Sequence, residues 1–148
     1  MNTNLSSSAP AELETDCLVA VVLDHGEKDH GEKDKPAPEV ASSDAALRQA
    51  AQEVIASGEV TGKAFETTLV HHPANLKAKR LLLLGGGKSK TFSASDLRKL
   101  AGAAVRTLKG KSIRSFAFVV PETAVAAQDG VRAIVEGAFV GEFEPGYY

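Results

Sequence analysis

The sequence has little cysteine, few aromatic residues and almost no excess charge. Cys17 is the only cysteine in 148 residues, which excludes an internal disulfide framework and favours a reducing compartment. The formal net charge of -2 gives no general attraction to nucleic acid or to an anionic membrane. No apolar run approaches the roughly 18 residues that a membrane span requires, and no apolar signal-peptide core is present. We therefore expect a cytoplasmic, soluble single domain with no membrane partner.

The apolar residues occur in blocks of strand length and of helix length. Buried strands are predicted for the runs DCLVAVVLD (16–24), ETTLVHH (66–72), RLLLLG (80–85) and SIRSFAFVVP (112–121). Helices are predicted from Ser43 or Asp44 to Gly58, from a capping box at Ser93 and Asp96 to Gly110, and from about Thr123 to Pro145. Alternating strands and helices predict a three-layer α/β/α domain with a mostly parallel, mixed central sheet.

A tandem repeat interrupts this pattern after the first strand. Residues 25–29 and 30–34 are both HGEKD. The segment is rich in charge, glycine and proline, so it cannot bury enough apolar surface to offset the entropy of ordering it. We predict a mobile, exposed loop over residues 25–42.

The run LLLLGGGKSK raises the question of a phosphate-binding loop. Gly85, Gly86, Gly87 and Lys88 follow a predicted strand, which is where open α/β sheets usually bind ligands. The P-loop pattern fails, however, because its first glycine falls on Leu82, and the dinucleotide pattern fails at Lys90. We expect a flexible strand-to-helix connection with one or two glycines at positive φ. A contact to an anion or a nucleotide is the alternative.

The other candidate side chains do not form a catalytic set. His71 and His72 are adjacent on a strand and face opposite sides, so they are poorly placed to share a metal ion. Cys17 lies within an apolar run and is expected to be a core residue. A basic region covers residues 98–114, but no aromatic residues are interspersed with its basic side chains, so we do not expect nucleic-acid binding. The sequence therefore predicts no catalytic residues and no metal ligands.

The order and spacing of several segments resemble one known family. ELETDCLVAVVLD, GKAFETTLVHHPANLKAKRLLLLGGGK, DLRKLAGAAVRTLKGKSIRSFAFVVP and AIVEGAFVGEFEPGYY are together similar to the N-terminal domain of the leucyl aminopeptidases, the M17 metallopeptidases. The resemblance runs from about Glu12 to Tyr148. It implies a macro-like α/β fold for residues 12–144, preceded by a polar tail or edge strand over residues 1–11. Residues 145–148 would then begin the linker to a catalytic domain.

The resemblance also implies a function that this chain shares with a second domain. The parent enzyme would remove N-terminal amino acids from peptides with two zinc or manganese ions held in its catalytic C-terminal domain. This domain would pack against that catalytic domain and help to assemble a homo-oligomer. Apolar residues around most of the last helix agree with such a role, and we expect an interface at Phe139, Val140 and Phe143. A macro-like module that binds ADP-ribose or another nucleotide at Gly85–Lys88 is the alternative.

Overall fold

The computed structural model describes residues 6, 8–26, 37–113, 115–123 and 125–143, with backbone only for residues 142 and 143. The strands are β1 (Leu18–Asp24), β2 (Pro38–Val40), β3 (Thr67–His71), β4 (Arg80–Lys88) and β5 (Ala117–Phe118), and the α-helices are α1 (Ala45–Ala56), α2 (Ala94–Gly110) and α3 (Ala127–Phe143). Two 3-10 turns occupy Pro10–Glu12 and Ser89–Thr91. Most of the HGEKD repeat and the predicted linker lie outside the described residues.

The five strands form one mixed sheet around β1. Strand β4 lies parallel to β1 along one edge, with Leu18 beside Leu81 and Val21 beside Leu84. The other edge of β1 is shared, because β5 pairs in parallel with Leu18 and Val19 while β2 pairs antiparallel with the end of the strand. Strand β3 pairs antiparallel with β4. The predicted α/β class with a mixed sheet is confirmed.

Helices cover both faces of the sheet. Successive side chains of a strand point to opposite sides, so each strand contributes to both helix–sheet contacts. On one face, Val19, Val21, Leu82 and Leu84 pack with α2 and α3. On the other face, the intervening residues of β1 and β4 pack with α1, whose contacting side chains are Leu47, Ala50 and Ala51. Both strands are therefore buried on two sides, which explains why their apolar runs are continuous rather than alternating.

Local hydrogen bonds begin two of the helices where the sequence predicts. The Asp44 side chain accepts a hydrogen bond of 2.9 Å from the amide of Leu47 at the start of α1. At the start of α2, the amide of Ser93 donates to the Asp96 carboxylate at 2.9 Å, and the amide of Asp96 donates to the Ser93 hydroxyl at 3.3 Å. These bonds satisfy amides that have no partner within the first turn.

Three elements differ from the sequence-based expectation. Strand β4 continues to Lys88, so the glycine run is strand rather than the flexible connection that we expected. Strand β5 has two residues, far fewer than the predicted span of 112–121. Strand β2, which begins at Pro38, lies within the predicted loop of residues 25–42.

Candidate functional site

At each position of the run, the packing or the backbone conformation favours glycine for a different reason. A Cβ added at Gly85 would lie 1.8 Å from the carbonyl oxygen of Lys63, and one at Gly86 would lie 2.6 Å from Cδ2 of Leu23. Gly87 has a φ of 83°, a conformation that favours glycine. The glycines therefore allow the Lys63 turn, the core and the strand end to pack closely together.

Two of the glycine amides already have backbone partners. The amide of Gly85 donates to the carbonyl of Glu66 at 2.7 Å, and the amide of Gly87 donates to the carbonyl of Gly62 at 2.8 Å. An anion cradle needs such amides to point toward the ligand. At Gly85 and Gly87 the amides instead join β4 to the turn that precedes β3.

Lys88 and Asp24 form an ion pair beside the glycine run. Lys88 Nζ lies 2.9 Å from Asp24 Oδ2, and the Asp24 side chain is only 11% exposed. The other oxygen, Oδ1, accepts hydrogen bonds of 2.8 Å from the amides of Gly26 and Ala37. The Asp24 carboxylate thus joins the end of β4 to both ends of the segment that connects β1 and β2.

These contacts stabilise the ionised form of Asp24. Burial by itself raises the pKa of this carboxyl, but the amide of Ala37, the ammonium of Lys88 and the amide of Gly26 outweigh it, so the pKa lies below its ordinary value of 3.8. A carboxylate that accepts two amide bonds and a cation is charged at neutral pH. The sequence places Asp24 at the end of one predicted strand and Lys88 three residues after the end of another, and only the strand pairing shows that the two strands are neighbours.

Cys17 and the histidine pair lie apart from this cluster. Cys17 is fully buried in the core next to α2, and burial raises the pKa of its thiol to about 11, which suits a core residue rather than a nucleophile. His71 ends β3, and His72 follows with a φ of 52°. Within the described residues, no three His, Cys, Asp or Glu side chains lie close enough together to bind a metal ion. This part of the chain therefore offers no ligand set for the two ions that the resemblance implies.

The second predicted site is the outer side of α3. The inner side packs closely on α2, since a Cβ at Gly137 would lie 2.0 Å from the carbonyl oxygen of Arg98. The two helices therefore approach each other closely at Gly137. On the outer side, Phe139 is 36% exposed and Val140 is 54% exposed. The side chain of Phe143 lies outside the described residues, and a role for these residues in binding stays a prediction.

The fold defines a three-layer α/β domain. The chain belongs to the cytosol aminopeptidase family, since the sequence model of the family's N-terminal domain matches residues 18–146. It is 41% identical to a probable cytosol aminopeptidase of Koribacter versatilis, with all of this chain aligned to 31% of that protein. A probable cytosol aminopeptidase of Acidobacterium capsulatum is 36% identical, again over the whole chain and 30% of the relative. The chain thus spans about a third of the length of these relatives and corresponds to their N-terminal part.

A solved structure agrees with this fold. The bottromycin maturation enzyme BotP matches 90% of this chain with a TM-score of 0.59, and the matched region is 24% of that protein. The sequence identity of 18% supports a common fold and nothing finer. Within the residues that the structure describes, no helix is long and apolar enough to cross a membrane.

Proposed function

We propose that this chain is the non-catalytic N-terminal domain of a metal-dependent cytosolic aminopeptidase. The parent enzyme would release N-terminal amino acids from peptides with two divalent metal ions, zinc or manganese, bound in its catalytic portion. This domain would pack against the catalytic portion and contribute to the assembly of a homo-oligomer. Membership of the family and the names of the relatives, which are cytosol aminopeptidases, support the parent activity and its cytosolic location.

The observation that carries the packing role is the exposed apolar side chain of Val140 beside Phe139 on α3. This helix is the last described element, whereas the aligned region is only 31% of the Koribacter relative. A partner that covers Val140 would remove apolar surface from water at roughly 25 cal/mol per Å². The remaining part of an aminopeptidase chain is the occupant that we propose for this surface.

A chimeric enzyme tests the proposal. This chain replaces the aligned third of the Koribacter versatilis relative, and hydrolysis of leucine p-nitroanilide is measured with added manganese or zinc. We expect the chimera to be active and the 148-residue chain alone to show no turnover. Turnover by the chain alone would overturn the non-catalytic assignment.

A substitution pair then tests the surface within the same chimera. Val140→Asp places a charge on the outer side of α3, and we expect it to lower activity and assembly at least about tenfold, because a buried unpaired charge is costly. Gln52→Asp adds the same charge at an exposed position of α1 and should leave both unchanged. Equal effects of the two substitutions would show that the outer side of α3 is not the packing surface.

A further inference from the structure

Strand β3 forms one edge of the sheet that the described residues build. It pairs with β4, and no other described strand lies along it. The amide of His72 donates to the carbonyl of Lys79, and the amide of Gly85 donates to the carbonyl of Glu66. Because inward and outward residues alternate in an antiparallel pair, Thr68 and Val70 bond to β4. Thr67, Leu69 and His71 therefore turn their N–H and C=O groups outward.

This edge lacks the features with which proteins usually prevent strand pairing. The strand TTLVH contains no lysine, proline or glycine, and no bulge interrupts its register with β4. Natural edge strands commonly carry such residues or bulges, because unpaired backbone groups are a template for another strand. Leu69 and Val70 are half-buried, so apolar surface is available beside the open ladder.

An exposed aromatic residue lies at the start of the same edge. Phe65 is 52% exposed and has a φ of 65°, which is unfavourable for a bulky side chain. The amide of Phe65 donates a hydrogen bond to the carbonyl of Gly85 at 2.9 Å. The neighbouring Glu66 carboxylate accepts one from the amide of Thr61 at 2.8 Å. The turn is thus fixed in a strained form that displays an apolar ring, a combination often found at functional surfaces.

We propose that β3 pairs antiparallel with β3 of a second copy of this chain, about a two-fold axis at Leu69. Leu69 would exchange two hydrogen bonds with Leu69 of the second copy. Thr67 would exchange two with His71 of that copy, and the symmetric pair would add two more, about six in all. The two Phe65 rings would then flank the joined strands.

Self-complementarity is the reason to choose a second copy as the occupant. In this register Thr68 lies opposite Val70, Leu69 lies opposite itself, and Thr67 lies opposite His71, so the three central positions pair β-branched or apolar side chains. Such cross-strand pairs stabilise antiparallel sheets, and no like charges face each other. A two-fold contact of this kind uses the same patch on both copies and therefore closes on itself. The inference is independent of the packing role proposed for α3, because it concerns the edge of the sheet.

Sedimentation of the 148-residue chain over a range of concentrations tests the pairing. We expect a reversible dimer, and we expect Thr67→Pro to raise its dissociation constant at least about tenfold, because two of the intermolecular hydrogen bonds are lost. The Thr67 amide makes no bond to β4, so the substitution removes no ladder bond within one copy. Thr67→Ala keeps the amide and is the matched control, which should dimerise nearly as well as the parent chain.

Amide hydrogen exchange gives a second readout that does not depend on any variant. The amides of Leu69 and His71 should exchange more slowly as the concentration rises, whereas those of Thr68 and Val70 should be protected at every concentration. A strictly monomeric chain at about 1 mM would overturn the proposal. The dissociation constant would then exceed about 1 mM, so the binding free energy would be weaker than about −4 kcal/mol. A dimer that Val140→Asp disrupts and Thr67→Pro leaves intact would overturn it as well.

Discussion

Gly137 of α3 lies directly against the carbonyl oxygen of Arg98 in α2. A Cβ at this glycine would be 2.0 Å from that oxygen, and one at Gly141 would be 2.6 Å from the carbonyl oxygen of Gly102. The backbones of the two helices therefore approach each other closely where α3 carries glycine. This contact forms part of the layer that covers one face of the sheet.

We expect Gly137→Ala to destabilise the domain by about 2 kcal/mol or more, because an added methyl group in a closely packed contact forces the backbones apart. Gly110→Ala is the matched control. Gly110 also lies in a helix, and an added Cβ there would meet nothing within 4 Å, so alanine should be neutral or stabilising by up to about 1 kcal/mol. Urea unfolding followed by circular dichroism measures both. Equal stability of the two variants would contradict the close contact.

The backbone of Phe65 provides a second prediction. Its φ of 65° costs about 1–2 kcal/mol for a residue with a Cβ but little for glycine. Phe65→Ala and Phe65→Gly remove the same ring, and only glycine relieves the strain. We expect Phe65→Gly to be about 1 kcal/mol more stable than Phe65→Ala, as measured by urea midpoints. A less stable glycine variant would argue against the left-handed turn.

Asp24 should make the stability of the domain depend on pH in acid. Its folded pKa lies below the ordinary value of 3.8, so its contribution is fully present above that value. The contribution is then lost as the pH falls through the folded pKa. We expect Asp24→Asn to cost about 2 kcal/mol near pH 7, because the hydrogen bonds and the ion pair involve a charged group. This difference should shrink below about pH 4, and a constant difference from pH 7 to acid would contradict the prediction.

Lys88→Met separates the ion pair from the amide bonds of Asp24. The Lys88 side chain is 45% exposed, so solvent screens its charge and the loss should be less than about 1 kcal/mol. The amides of Gly26 and Ala37 would still bind the carboxylate. A loss as large as that of Asp24→Asn would mean that Lys88, rather than the two amides, provides most of the stabilisation.

Calorimetric titration with ADP-ribose tests the alternative function at Gly85–Lys88. We expect no binding heat at micromolar ligand, because the amides of Gly85 and Gly87 already donate to backbone carbonyls. Lys88 also pairs with Asp24. Titration with inorganic phosphate is the simpler control for any anion contact. Saturable heat that Lys88→Met abolishes would restore the nucleotide-binding interpretation.

Local signals in the sequence predicted the elements that local interactions determine. The start of α2 could be predicted because Ser93 and Asp96 lie three residues apart and satisfy each other's amides. The core strands β1 and β4 could be predicted because their apolar runs are continuous. The alternation of strands and helices predicted the α/β fold with a mixed sheet, which the strand pairing confirms.

Contacts between distant residues explain what the sequence did not predict. The predicted strand ends at Gly85, but β4 continues to Lys88, where the turn before β3 accepts a hydrogen bond from the amide of Gly87. Strand β2 begins at a proline, and it forms because β5 pairs only with the first part of β1 and leaves the edge of the last part available for β2. The partners of Asp24 include Ala37, thirteen residues away, and no local pattern predicts such a contact.

The hydrogen bonds around Asp24 have a practical consequence for protein engineering. The amide of His25 donates to the carbonyl of Ala37 at 3.0 Å, and Asp24 binds the amides of Gly26 and Ala37. The two ends of the intervening segment are therefore tied together whatever its length, and each doubling of a loop costs only about 0.6 kcal/mol. We therefore expect a reporter peptide or a binding epitope spliced between Gly26 and Ala37 to cost the host domain little stability.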